Sequence, residues 1–113
     1  MNKAKAFPQH KSGVMNSLEK SYSLRLEALK LTGEIKWYIF ESVNLRIGVK
    51  CHYRVDFMVQ NSDDVIEFHE VKGGYWRDDA RVKIKAVADK FPFIFRGFTF
   101  KNKKWIEEDF TIR

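Results

Sequence analysis

The sequence predicts an α/β (α+β) fold in which helices cover a mixed central β-sheet, in the order α-β-β-β-α-β. Two segments carry apolar residues at helical spacing, and β-branched and aromatic runs lie between and after them. At 113 residues the chain suits one domain with a single modest core. Residues 1–15 read as a flexible basic arm with Lys3, Lys5 and Lys11, and residues 16–113 read as the domain.

From Ser17 the apolar positions Leu18, Tyr22, Leu26 and Leu29 recur every three or four residues, and Gly33 follows as a stop. Asn16 or Ser17 is placed to cap this first helix, about 15 residues long, with Glu19 in its first turn. The stretch "IKWYIFESVNLRIGV" predicts one or two short strands. "CHYRVDFMVQ" and "VIEFHEVK", separated by the polar cluster "NSDD", predict an antiparallel hairpin of residues 52–60 and 65–72 that ends at Gly73 and Gly74. "RDDARVKIKAVADKF" returns to helical spacing at Ile84, Val87, Ala88 and Phe91. Asp78 or Asp79 is expected at its cap, and Pro92 closes it. "FIFRGFTF" and "KKWIEEDFTIR" predict one or two final strands. The first reads as a buried strand, with pairing between subunits as its other reading.

Composition narrows the chemistry. A hydrophobic fraction of 44% with ten phenylalanines excludes wholesale disorder. A net charge of +6 favours a polyanionic partner such as DNA. The single cysteine, Cys51, excludes an intrachain disulfide and any cysteine-based zinc cage, and fits a reducing, cytoplasmic compartment. No apolar run is long enough for a secretory leader or a membrane span.

The segment "HEVKGGYWRDD" holds the chemistry. On a strand, Glu70 and Lys72 share one face and Val71 takes the other, which also turns His69 away from Glu70 as a packed or hydrogen-bonded histidine. A turn centred on Asp63 places Asp56 directly opposite Glu70, with Cβ atoms about 5 Å apart, whereas a one-residue slip would pair Asp56 with His69. Two carboxylates so close repel unless a cation lies between them. Oxygen donors alone suit Mg²⁺, which takes one or two protein carboxylates and completes its shell with water and phosphate. A lone E-x-K triplet is otherwise an exposed cross-strand ion pair. Asp56 within the apolar run "YRVDFMV", and Glu19 as a third carboxylate, favour a site.

The element order, "VDF" at 55–57, "EVK" at 70–72 and Glu19 in "NSLEKS" resemble the PD-(D/E)XK nuclease superfamily. Within it, the chain is similar to small phage-type endonucleases related to Holliday-junction resolvases. The resemblance covers about residues 16 to 100 and departs at Val55, where the name carries proline. It implies a restriction-endonuclease-like core, with Asp56, Glu70 and Glu19 as metal ligands and Lys72 as the catalytic lysine. It also implies Mg²⁺ with Mn²⁺ as substitute, cleavage of branched DNA by a homodimer, and a phage gene expressed in a bacterial host. Lys11, Arg77, Arg81, Lys83 and Lys85 are then candidates for phosphate contacts, and Trp76 with Tyr75 for stacking on bases in the loop after the glycines, packing over the sheet edge being their other reading. Other readings are a nuclease of plain duplex or single strands, a non-catalytic nucleic-acid-binding domain on the same scaffold, and a structural subunit.

Overall fold

The computed structural model describes residues 13–112. The expected basic arm lies almost wholly outside this range, and Lys11 with it.

Helix α1 spans Ser17–Thr32. Asn16 caps it reciprocally: its Oδ1 accepts the Glu19 N–H at 2.8 Å, and Glu19 Oε1 accepts the Asn16 N–H at 2.9 Å. Gly33, at φ 84°, ends it in the left-handed conformation. Strands β1 (Ile35–Phe40), β2 (Asn44–Gly48), β3 (Cys51–Arg54), β4 (Phe57–Asn61) and β5 (Ile66–Gly73) follow, then helix α2 (Asp78–Lys90) and strands β6 (Ile94–Lys101) and β7 (Lys104–Asp109). Arg77 occupies the cap position of α2 without a side-chain hydrogen bond; Asp78 and Asp79, expected as caps, lie in its first turn. There they still complement the helix dipole.

Five strands form one mixed sheet in the order β1-β4-β5-β6-β7. Only β5 and β6 run parallel, because α2 carries the chain back across the sheet between them. β6 is therefore an interior strand, not an edge. The helices cover opposite faces. Tyr22 and Leu26 of α1 pack with Phe57, Val59, Val71 and Phe98. Ile84, Val87 and Ala88 of α2 pack with Tyr53, Val55, Phe68 and Phe95. β5 is buried from Glu67 through Val71, as expected of a strand covered on both sides.

The predicted strand 52–60 is two strands. Val55 donates its N–H to the Val43 carbonyl at 3.0 Å, and the Asp56 carbonyl accepts from Glu41 N–H at 2.9 Å, so the chain turns a corner. β3 then pairs with β2 in a separate two-stranded sheet beside α2, while β4 enters the main sheet. Odd-numbered residues stay buried through the corner, but they change sides. Tyr53 and Val55 enter the α2-side core, and Phe57 and Val59 the α1-side core.

The β6–β7 hairpin turns through Asn102 and Lys103, both at positive φ (54° and 62°), the geometry of a type I′ turn. Left-handed backbone at Lys103 costs roughly 1–2 kcal/mol, and glycine's extra freedom when unfolded offsets part of the relief. Lys103→Gly is expected to stabilise the chain by about 0.5–1 kcal/mol in urea denaturation.

Candidate active site

The predicted hairpin register is present. Phe57 pairs with His69 in the β4–β5 ladder, so Asp56, one residue before β4 begins, is next in line with Glu70. Its Oδ2 accepts the Val71 N–H at 2.9 Å, which clamps the carboxylate to the end of the ladder beside Glu70. Glu70 is 7% exposed and held from both sides. Tyr53 donates its hydroxyl hydrogen to Oε1, and the Lys72 ammonium lies 3.1 Å from Oε2. Glu19, also buried, reaches the same region from the first turn of α1. One of its oxygens is committed to the capping bond with Asn16.

Electrostatics tie these groups together. Burial first, and then the charges of Glu70 and Glu19, push Asp56 well above the usual carboxylate range, against the Val71 N–H and the Lys72 ammonium. Burial would lower Lys72, but Glu70, with both its charge and its hydrogen bond, and then Asp56 outweigh it and raise Lys72. Lys72 is an ammonium at neutral pH. Burial and the adjacent Glu70 likewise raise Tyr53, which keeps its proton and remains a donor. Asp56 and Glu70 thus act on one lysine, with the charge of Glu19 felt at Asp56, an excess of negative charge that a divalent cation would neutralise.

Among the described residues no three His, Cys, Asp or Glu side chains stand in a metal-holding arrangement. Asp56 and Glu70 nevertheless fit Mg²⁺, which needs only one or two protein carboxylates. Asp56 Oδ1 accepts no hydrogen bond among the described residues.

Trp76 covers the site. Its indole N–H donates to Thr99 Oγ1 at 3.1 Å, its ring packs on Phe110 at 5.2 Å, and the Lys72 ammonium lies 5.8 Å from the indole centroid. It can lie so close because position 97, opposite Glu70 on β6, is glycine. A Cβ there would stand 2.3 Å from Trp76 Cζ2. The indole named as a base-stacking candidate is thus packed inward. Arg77 is exposed and 3.7 Å from Asp79. Arg81 forks onto Glu108 at 2.7 and 2.8 Å, while Lys83 and Lys85 are exposed along α2.

His69 points away from Glu70, as the alternation of β5 requires. It is 4% exposed and sits between the Tyr22 hydroxyl (2.7 Å, to Nδ1) and Glu67 (2.9 Å, to Nε2). Arg25 donates to the Tyr22 oxygen at 3.2 Å, so the tyrosine hydrogen goes to Nδ1 and Nε2–H goes to Glu67. Burial lowers His69 and keeps it neutral. Although burial opposes ionisation of Glu67, the hydrogen bonds from His69 and Asn61 and the Arg96 charge hold it at about 2. This network is a satisfied structural element of the α1-side core.

Sequence reasoning did not assign Tyr53 or Gly97. Tyr53 stands in the apolar run "YRVDFMV", but its role depends on β3 leaving the main sheet. No family model, curated protein or solved structure matches the chain.

Proposed function

We propose that this chain is a Mg²⁺-dependent DNA endonuclease that hydrolyses phosphodiester bonds at the Asp56–Glu70–Lys72 site. The observation that carries the reading is Asp56 and Glu70 side by side next to the Lys72 ammonium, with Glu19 of α1 acting on Asp56, which is raised first by burial and then by these like charges. A binding module gains nothing from carboxylates placed to meet a phosphate backbone. A purely structural role gives no reason to gather them at the end of the β4–β5 ladder.

Asp56 and Glu70 would hold the cation, with Glu19 adding negative charge behind them. When bound, the cation supplies Lewis-acid activation of water and of the phosphodiester. Tyr53 and Val71 N–H fix the two carboxylates before substrate arrives. Lys72, protonated, acts as a fixed positive charge that orients the attacking water and stabilises charge building on the phosphate; it does not serve as a general base. Lys11, Arg77, Lys83 and Lys85 would hold the DNA backbone without reading sequence, and Arg81 would join them only on releasing Glu108. Symmetric cuts across a junction require two active sites, so the proposal includes a homodimer acting on branched DNA in the cytoplasm of a bacterial host.

The test is cleavage of labelled four-way junctions, flaps, plain duplex and single strands with Mg²⁺ by wild type, Glu70→Ala and Lys72→Ala. Junction and flap cleavage by wild type that both variants lose is the expected result. Intact substrates throughout, or variants as active as wild type, would remove the assignment. Duplex cut as fast as junctions would leave a nuclease and remove the branch preference.

A further inference from the structure

Beside Lys72 lies a cleft of about 250 Å³ lined by Lys72, Gly73, Tyr75, Arg77 and Ala80. Its volume falls below the roughly 300–1,000 Å³ of pockets that enclose a whole small molecule, which suits one part of a larger polymer. The backbone builds it sharply. Gly74, at φ 74°, lets Tyr75 N–H bond back to the Gly73 carbonyl at 2.8 Å, a three-residue turn. A Cβ on Gly73 would stand 3.3 Å from Leu18 of α1, so the turn is pressed against the helix. The next residue, Trp76, is anchored over Gly97 and to Thr99. The two adjacent aromatics therefore face opposite ways. Trp76 is locked inward, and Tyr75 is thrown out, 76% exposed, three residues from Lys72.

Resting on the nuclease reading, we infer that Tyr75 is a stacking platform for an unpaired nucleobase next to the scissile phosphate, with Lys72 and Arg77 beside the phosphates that flank it. An aromatic ring stacks on a base only where that base offers a free face. In plain duplex both faces are taken by neighbouring base pairs, and exposing one costs a few kcal/mol. At a flap, a single-stranded gap or a junction crossover the face is already free or nearly so. The preferred substrate is thus DNA with an unpaired nucleotide at the cut, and Tyr75 is its specificity-determining residue.

The experiment uses flap and single-stranded oligonucleotides carrying 2-aminopurine at the nucleotide beside the cut, or at each position in turn. Fluorescence is read on binding to wild type, Tyr75→Phe and Tyr75→Ala in Ca²⁺, with cleavage in Mg²⁺ read separately. Wild type and Tyr75→Phe are expected to quench the probe at one position. Tyr75→Ala should lose the quench and bind roughly 5- to 150-fold more weakly, while its affinity for plain duplex stays the same. Unchanged quenching and affinity in Tyr75→Ala, or equal loss on duplex, overturns the stacking role. Absence of Mg²⁺-dependent cleavage by wild type counts instead against the nuclease reading, because quenching does not depend on catalysis.

Discussion

Asp56→Asn is expected to abolish cleavage and, in ion-free buffer near pH 8, to melt at a higher temperature than wild type. Asparagine keeps an acceptor for the Val71 N–H and removes the charge that Glu70 and Glu19 oppose. Cleavage should fall by a factor on the order of 100 or more. Melting should rise on the order of 4 °C, which corresponds to about 1 kcal/mol for a domain near this length. The pH dependence has a definite sign. Because Asp56 is raised in the folded chain, the folded state binds a proton that the unfolded state has released. That stability is complete below the ordinary aspartate range and is lost as pH rises through the raised value. Wild type should therefore lose stability with rising pH over that window more steeply than Asp56→Asn. An active variant, or one that melts lower in ion-free buffer, counts against the cluster as described.

Gly97→Ala should give the largest loss of stability. The new methyl would stand 2.3 Å from Trp76 and 2.8 Å from Phe110, in a face already closed by α2 and the indole. Overpacking of this kind costs about 1–3 kcal/mol, or roughly 5–15 °C in melting temperature. Trp76 must swing out, breaking its bond to Thr99 and uncovering Lys72, so tryptophan emission should shift to the red. The double variant Gly97→Ala/Trp76→Ala should cost less than the sum of the two single changes, since the tighter of the two clashes disappears with the indole and only the one with Phe110 remains. Additive costs would mean that Trp76 does not lie over Gly97.

The parts of this arrangement that are local were legible in the sequence. Asn16 was one of two readable caps with Glu19 in the turn after it, Gly33 was a readable stop, and the polar turn around Asp63 set the register that aligns Asp56 with Glu70. Apolar spacing also marked α2, although its N-terminus is capped by Arg77 without a side-chain bond. The features that were not legible depend on pairing between distant segments. Burial alternates without interruption at Tyr53, Val55, Phe57 and Val59, so nothing in the pattern marks the corner at Asp56 where the chain changes sheets. Tyr53 reaches Glu70 only because of that corner. Gly97 looks like an ordinary glycine in an apolar strand until β6 is placed beside β5 and Trp76 folds over it. The neighbours Tyr75 and Trp76 have similar side chains and different roles, separated by a turn that only the backbone shows.

The proposed nuclease rests on a divalent cation shared by Asp56 and Glu70 beside Lys72. The most direct measurement of that ion is thermal melting of wild type and Asp56→Asn in EDTA and across a millimolar Mn²⁺ series. At tenfold excess over its dissociation constant a bound ion adds about 1.4 kcal/mol. Wild type should rise by roughly 5 °C and saturate, while Asp56→Asn should start higher and not respond. Equal ion responses in the two proteins, or none in wild type at saturating Mn²⁺, would contradict the shared cation.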